Sequence, residues 1–149
     1  MLRSLARDSK GQELVEYALT LPILMLLVLG IVEFGVAIFA YNTIANAARE
    51  GARVGAVVPI LSEADLTPAT QTIENAVIDR TGGLTLNADD NINVVITYTE
   101  STTETDMVQV TVNYSHTLIT GMIMQAAGGN AQLHLQSEAT MRREAPLQQ

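Results

Sequence analysis

The feature that most limits this chain is a run of 22 residues, LTLPILMLLVLGIVEFGVAIFA from Leu19 to Ala40, broken by one charge. As a helix it measures about 33 Å, enough to cross a hydrocarbon core about 30 Å thick. It is too long for the apolar part of an ordinary signal peptide, and no small-residue cleavage site follows it. A core helix of that length needs a large surrounding fold, which a chain of 149 residues does not offer. The run therefore reads as a single membrane span. Arg3, Arg7 and Lys10 precede it closely. The positive-inside bias keeps them in the cytoplasm, so the expectation is a single-pass protein of the cytoplasmic (inner) membrane with its C-terminal domain outside. Arg49 and Arg53 on the far side reduce that contrast.

The rest of the chain is a different material. The net charge is −8. Arg3, Arg7 and Lys10 against Asp8 leave the first eleven residues at +2, so the remaining 138 carry −10. A body this acidic repels phosphate backbones, which argues against nucleic acid as a partner. There is no cysteine, which excludes a disulfide scaffold and a thiolate metal site.

Two residues inside the span need an account. Pro22 removes one helix hydrogen bond and is expected to kink or loosen the helix locally. Glu33 is a carboxylate in the outer half of the span, where an acid costs up to roughly 2.5–3.5 kcal/mol at the bilayer centre. It reads either as a tolerated near-interface acid or as a contact between helices.

The helical pattern continues past the span as YNTIANAAREGARVGAVV. Asn42, Asn46, Arg49 and Arg53 form one polar stripe on a period of 3.6. Ala45, Ala48, Ala52 and Ala56 lie on other faces, and Gly51 and Gly55 have the spacing that lets helices approach closely. Pro59 ends the run. A helix from 12 to 58 is roughly 70 Å long. Its protruding half must pack on its own domain or on copies of itself.

The domain is expected over 59–142, with a tail over 143–149. Thr67-Pro68 reads as the start of a second helix, with Ala69, Ile73, Ala76 and Val77 at helical spacing and Gly82-Gly83 closing it. Three strand patterns follow. Ile92, Val94, Ile96 and Tyr98 alternate with mostly polar neighbours, as do Val108, Val110, Val112 and Tyr114, and then Leu133, Leu135, Ala139 and Met141. ESTTET, from Glu100 to Thr105, reads as a hairpin loop, and Ile119 to Ala126 as a helical turn. The expected fold class is α+β: a long N-terminal transmembrane helix, then a second helix and a short antiparallel sheet of about three strands. The two helices would cover the apolar face of that sheet.

Side chains in a pattern that could carry chemistry are few. His116 and His134 are the only histidines, and turn or polar-face histidines are far commoner than a metal pair. Asp89, Asn91 and Asn93 have the alternate spacing that opens some calcium loops. Glu100 stands at the place of that loop's terminal glutamate, but Val94 stands where it needs its glycine, so a polar turn entering a strand is the better reading. No nucleophile elbow and no phosphate-cradling glycine loop is present. The expectation is a protein with no enzymatic activity, no metal and no cofactor.

One junction stands above this background. Lys10-Gly11 is followed by QELVEYALTLPILMLL: a cationic stretch ending in Gly, an acid five residues later, then an apolar helix. This resembles the leader of type IV-like pilins, which prepilin peptidase cleaves after the glycine. The resemblance makes 1–11 the leader, Gly11 and Gln12 the cleavage site, and Glu16 the fifth mature residue. Glu16-Tyr17 is similar to the Glu-Tyr pair of tight-adherence pilins. Gln12 stands where many other type IV pilins have Phe. Leu21-Pro22, Val32-Glu33-Phe34-Gly35 and the run from Asn46 to Arg53 extend the likeness, and the segment from Val15 to Arg53 resembles the conserved region of TadE-like proteins. Ala139 to Glu144 is similar to the end of that family.

The resemblance implies a pilin-like structural subunit: a minor pilin or pseudopilin of the tight-adherence pilus, serving surface attachment and residing in an extracellular pilus after processing. Glu16, Tyr17 and Glu33 would then act in subunit assembly, and Gly51 and Gly55 in helix packing. The implied partners are prepilin peptidase, other pilin subunits, the inner-membrane assembly platform and membrane lipid. The alternatives are a membrane-anchored assembly factor that is never incorporated, and the major subunit of a filament.

Overall fold

The structure is a computed structural model that describes residues 9–60, 63–84, 91–99, 107–126 and 128–143. Most of the leader, the ESTTET loop, Asp89 and the last six residues lie outside these. In chain order the elements are α1 (Ser9–Val57), α2 (Glu63–Thr81), β1 (Asn91–Thr99), β2 (Met107–Thr117), α3 (Gly121–Ala126) and β3 (Gln132–Arg142). The expected α+β class and three-stranded antiparallel sheet are what the chain forms.

α1 is continuous for 49 residues, about 74 Å. Pro22 lies inside it without ending it, because proline costs one bond, to the carbonyl four residues back, and the flanking turns keep theirs. One face is a stripe of small or branched side chains. Ala40, Ile44, Ala47, Ala48, Ala52 and Ala56 are buried, and Leu29, Glu33, Val36 and Ala37 are half-buried on the same helical rows. Steps of three and four residues keep all of them on one side. Asn42, Asn46, Arg49 and Arg53 are exposed on another side.

β1, β2 and β3 pair antiparallel in that order, a meander with β2 in the centre. Val108, Val110, Val112 and Tyr114 of β2 are fully covered, and the matching rows of β1 and β3 are half-buried. A central strand under two helices loses its water, whereas edge rows keep some. The core is the stripe of α1, Ile73 and Val77 of α2, and this face of β2. The domain is therefore not confined to residues after Pro59. The C-terminal half of α1 is its spine.

α2 departs from the sequence expectation at its start. The helix begins at Glu63, and Pro68 lies inside it rather than at its first position. The acids Glu63 and Asp65 suit the positive end of a helix dipole, which favours a start there over Thr67-Pro68. Only one ladder bond is lost at Pro68, near the helix start. The end is as expected: Thr81 closes the helix, and Leu84 N–H donates to the Thr81 carbonyl at 2.9 Å.

Tyr114 ties that end to the sheet. Its hydroxyl donates to the Leu84 carbonyl at 2.8 Å in a buried setting. Tyr114→Phe removes this donor and leaves the carbonyl without it. The expected loss is about 1 kcal/mol, a fall in Tm of roughly 4–8 °C for a domain this size. An unchanged melt in detergent would show that the bond does not matter.

Candidate assembly and membrane surface on the long helix

α1 divides into two halves by what surrounds it. From Gly11 to Val28 every residue is exposed, including Leu14, Leu19, Leu24 and Leu27. From Leu29 onward one face meets the domain. The helix is long and apolar enough to cross a membrane, and almost none of its most apolar stretch is buried. A soluble core helix of that composition would be covered. The exposed half fits a single-pass membrane protein.

Gly11 and Gln12 lie in the first turns of α1, both exposed. A Cβ at Gly11 would meet nothing within 4 Å, so the fold does not require glycine there. Glu16 and Tyr17 are exposed on the same free half. No described residue gives Glu16 a hydrogen bond or an ion pair.

Gly51 and Gly55 stand differently. A Cβ on Gly51 would lie 2.6 Å from Val77 Cγ2 and 3.1 Å from Val110 Cγ1. On Gly55 it would lie 2.9 Å from Val108 Cγ2 and 3.0 Å from Ile73 Cδ1. Both glycines let α1 settle onto α2 and β2 of its own subunit. Of the two packing partners open to the protruding half, the structure fills this face with its own domain.

Glu33 also finds its partners inside the chain rather than on another helix. Its carboxylate accepts the Ile119 N–H at 2.7 Å, the Thr120 N–H at 3.3 Å and the Thr120 hydroxyl at 3.0 Å. These donors sit in the turn between β2 and α3, where Gly121 N–H donates back to the Leu118 carbonyl at 2.9 Å and Leu118 N–H to Ala131 at 2.8 Å. The free amides of that turn have no ladder partner, and a carboxylate 86 residues away in sequence satisfies them. Beside it is an apolar cleft of about 440 Å³, lined by Gly30, Phe34 and Ala37 of α1 and by Leu118, Leu133 and Leu135.

At the other end of the spine the run from Asn46 to Arg53 has a physical division of labour. Ala47, Ala48, Gly51 and Ala52 are buried, and Arg49 and Arg53 are exposed. Arg53 donates to Glu50 through Nε at 3.0 Å and Nη2 at 2.7 Å. Arg80 of α2 approaches the same carboxylate at 3.7 Å. The bond from Arg53 above all, with the charges of Arg53 and Arg80, holds the Glu50 carboxyl below its ordinary range.

The histidines do not meet. Ser115 pairs with His134 across the sheet and His116 with Leu133, so the two rings point to opposite faces. His116 is buried beside Tyr114, its Nδ1 3.3 Å from the Tyr114 hydroxyl, and His134 Nδ1 lies 2.9 Å from Ser115 Oγ on the exposed face. Asp89 of the calcium-like spacing lies outside the described residues. Among the described residues no group of three metal-ligating side chains is present.

A sequence model described as TadE-like protein matches residues 11–53, 43 of the 149 residues. Its first residue is Gly11, and its last, Arg53, lies one turn short of the end of α1. No curated protein and no solved structure matches the chain.

Proposed function

We propose that this chain, TadE-like over residues 11–53, is a structural subunit of a tight-adherence pilus: a minor pilin or pseudopilin that is processed after Gly11 and assembled through α1. The TadE-like segment marks a pilus-associated protein in general terms. The observation that carries the finer reading is the division of α1. One half is the spine of a folded domain, and the other is an apolar helix that no described residue of its own chain covers. Such a half needs lipid before assembly and like helices afterwards.

Glu16 supports the same reading. It is a charge on a bare apolar helix without a described partner in its own chain. Processing after Gly11 would place a new ammonium on Gln12, which Glu16 of a neighbouring subunit would neutralise. Breaking one partner of a pair buried in an apolar bundle costs roughly 3–5 kcal/mol, so processed and docked subunits are favoured together. The glycine at 11 serves no packing need, which suits a residue read by a peptidase.

The test is the mature mass. In cells that make prepilin peptidase, the protein is expected to lack residues 1–11, and Gly11→Leu is expected to retain them. A parent protein that keeps Met1 in piliated cells would sink the processing step. Sheared, purified pili then decide the role: trace copies fit the minor pilin, abundant copies a major subunit, and none a membrane-bound assembly factor.

A further inference from the structure

The spacing of Glu16 and Glu33 sets a length problem. They are separated by 17 residues, or about 26 Å of helix, less than a hydrocarbon core of about 30 Å. With Glu16 at one interface, Glu33 falls inside the edge of the opposite leaflet. Its carboxylate is equipped for that position, because three donors from Ile119 and Thr120 satisfy it. The same bonds fix the β2–α3 turn at the depth of Glu33.

That turn and α3 carry exposed apolar side chains. Ile119 is 57% exposed, Ile123 50% and Met124 42%. No Asp, Glu, Lys or Arg occurs between Asp106 and Glu138, in a chain with 24 such residues. An acidic domain thus presents an apolar edge where its helix leaves it, and the Glu33 carboxylate there is hydrogen-bonded by the turn. The cleft between Phe34, Leu118 and Leu133 opens at the same edge.

We propose that the β2–α3 turn and α3 form a second membrane contact, seated in the outer part of the bilayer beside α1, with Ile119, Ile123 and Met124 in the headgroup–acyl boundary. The occupant of this surface is membrane lipid, and the proposal rests on α1 spanning the membrane. The depth is that of an interfacial helix, about 5–10 Å into the boundary. Glu33 acts as the hinge pin that keeps span and interfacial element in register.

The absence of cysteine gives a direct test. Ile123→Cys, Ile23→Cys and Thr97→Cys in the full chain each carry one environment-sensitive fluorophore, reconstituted in vesicles of phosphatidylethanolamine and phosphatidylglycerol. Nitroxides are placed near the headgroup or at the acyl chain end. The expected result is quenching at position 123 mainly by the shallow nitroxide, quenching at 23, and none at 97, which lies exposed on β1. Quenching at 23 with a water-like, unquenched 123 overturns the proposal and leaves the span intact. Loss of quenching at both 23 and 123 removes the span and the proposal together. Disulfide pairing of unlabelled Ile123→Cys between copies, with no quenching of the labelled form, assigns the surface to a second copy and also overturns it.

Discussion

Replacing Gly51 with leucine is expected to abolish the folded domain while leaving α1 in the membrane. The site has no room for even one carbon, since a Cβ would stand 2.6 Å from Val77 Cγ2. Valine is short and stiff at χ1, so its methyl cannot swing away as the end of a long side chain would. Val110 blocks the second direction at 3.1 Å. Gly51→Ala separates two opposing terms. Alanine gains about 1 kcal/mol over glycine in a helix interior, and overpacking a tight core costs about 1–3 kcal/mol. The net expectation is a loss of up to about 2 kcal/mol, read as a lower urea midpoint at unchanged slope. Gly35→Ala is the control, because nothing lies within 4 Å of its Cβ. It should leave the midpoint unchanged or raise it. A Gly51→Ala protein as stable as its Gly35→Ala counterpart would mean that α1 does not sit against Val77 as described.

The same two glycines show where sequence reasoning stopped. The GxxxG spacing raises a close approach on α1, but spacing carries no information about what approaches. The valines that fill the gap come from α2 and β2, 26 residues or more downstream, and only tertiary structure brings them there. The strands were readable because β2 is central and alternates strictly, so period and burial agree. α2 was readable in its middle and misplaced at its start, where Pro68 gave a strong local signal and the acids Glu63 and Asp65 of the first turn a weaker one. The run from Asn46 to Arg53 was recognisable as a motif, yet its alternation of core alanine and surface arginine emerges only when α1 is laid on the sheet. Glu33 was read either as a tolerated near-interface acid or as a contact between helices, and its partners are two backbone amides and the Thr120 hydroxyl of its own chain. Backbone donors leave no trace in a sequence, so no reading of side-chain types would have located them.

Glu33→Ala is expected to free the β2–α3 turn from α1 without unfolding the domain. Hydrogen bonds to a charged acceptor contribute about 1.5–3 kcal/mol. If their loss appears as local opening, exchange of the Ile119 amide should accelerate about 10- to 100-fold. Amides of Val110 and Val112, in the buried row of β2, should be unaffected. Glu33→Gln retains an amide oxygen in nearly the same place and removes the charge, so it should fall between parent and alanine. The direction distinguishes this role from that of a misplaced acid. A carboxylate merely tolerated in a span costs up to about 2.5–3.5 kcal/mol at the bilayer centre, and removing it would stabilise insertion while leaving Ile119 unchanged. A carboxylate that caps the turn gives the opposite result: insertion of α1 persists, and the turn loosens. Unchanged exchange at Ile119 in Glu33→Ala would show that the 2.7 Å contact does not hold the turn, and the depth of the domain would then be set by the apolar length of α1 alone.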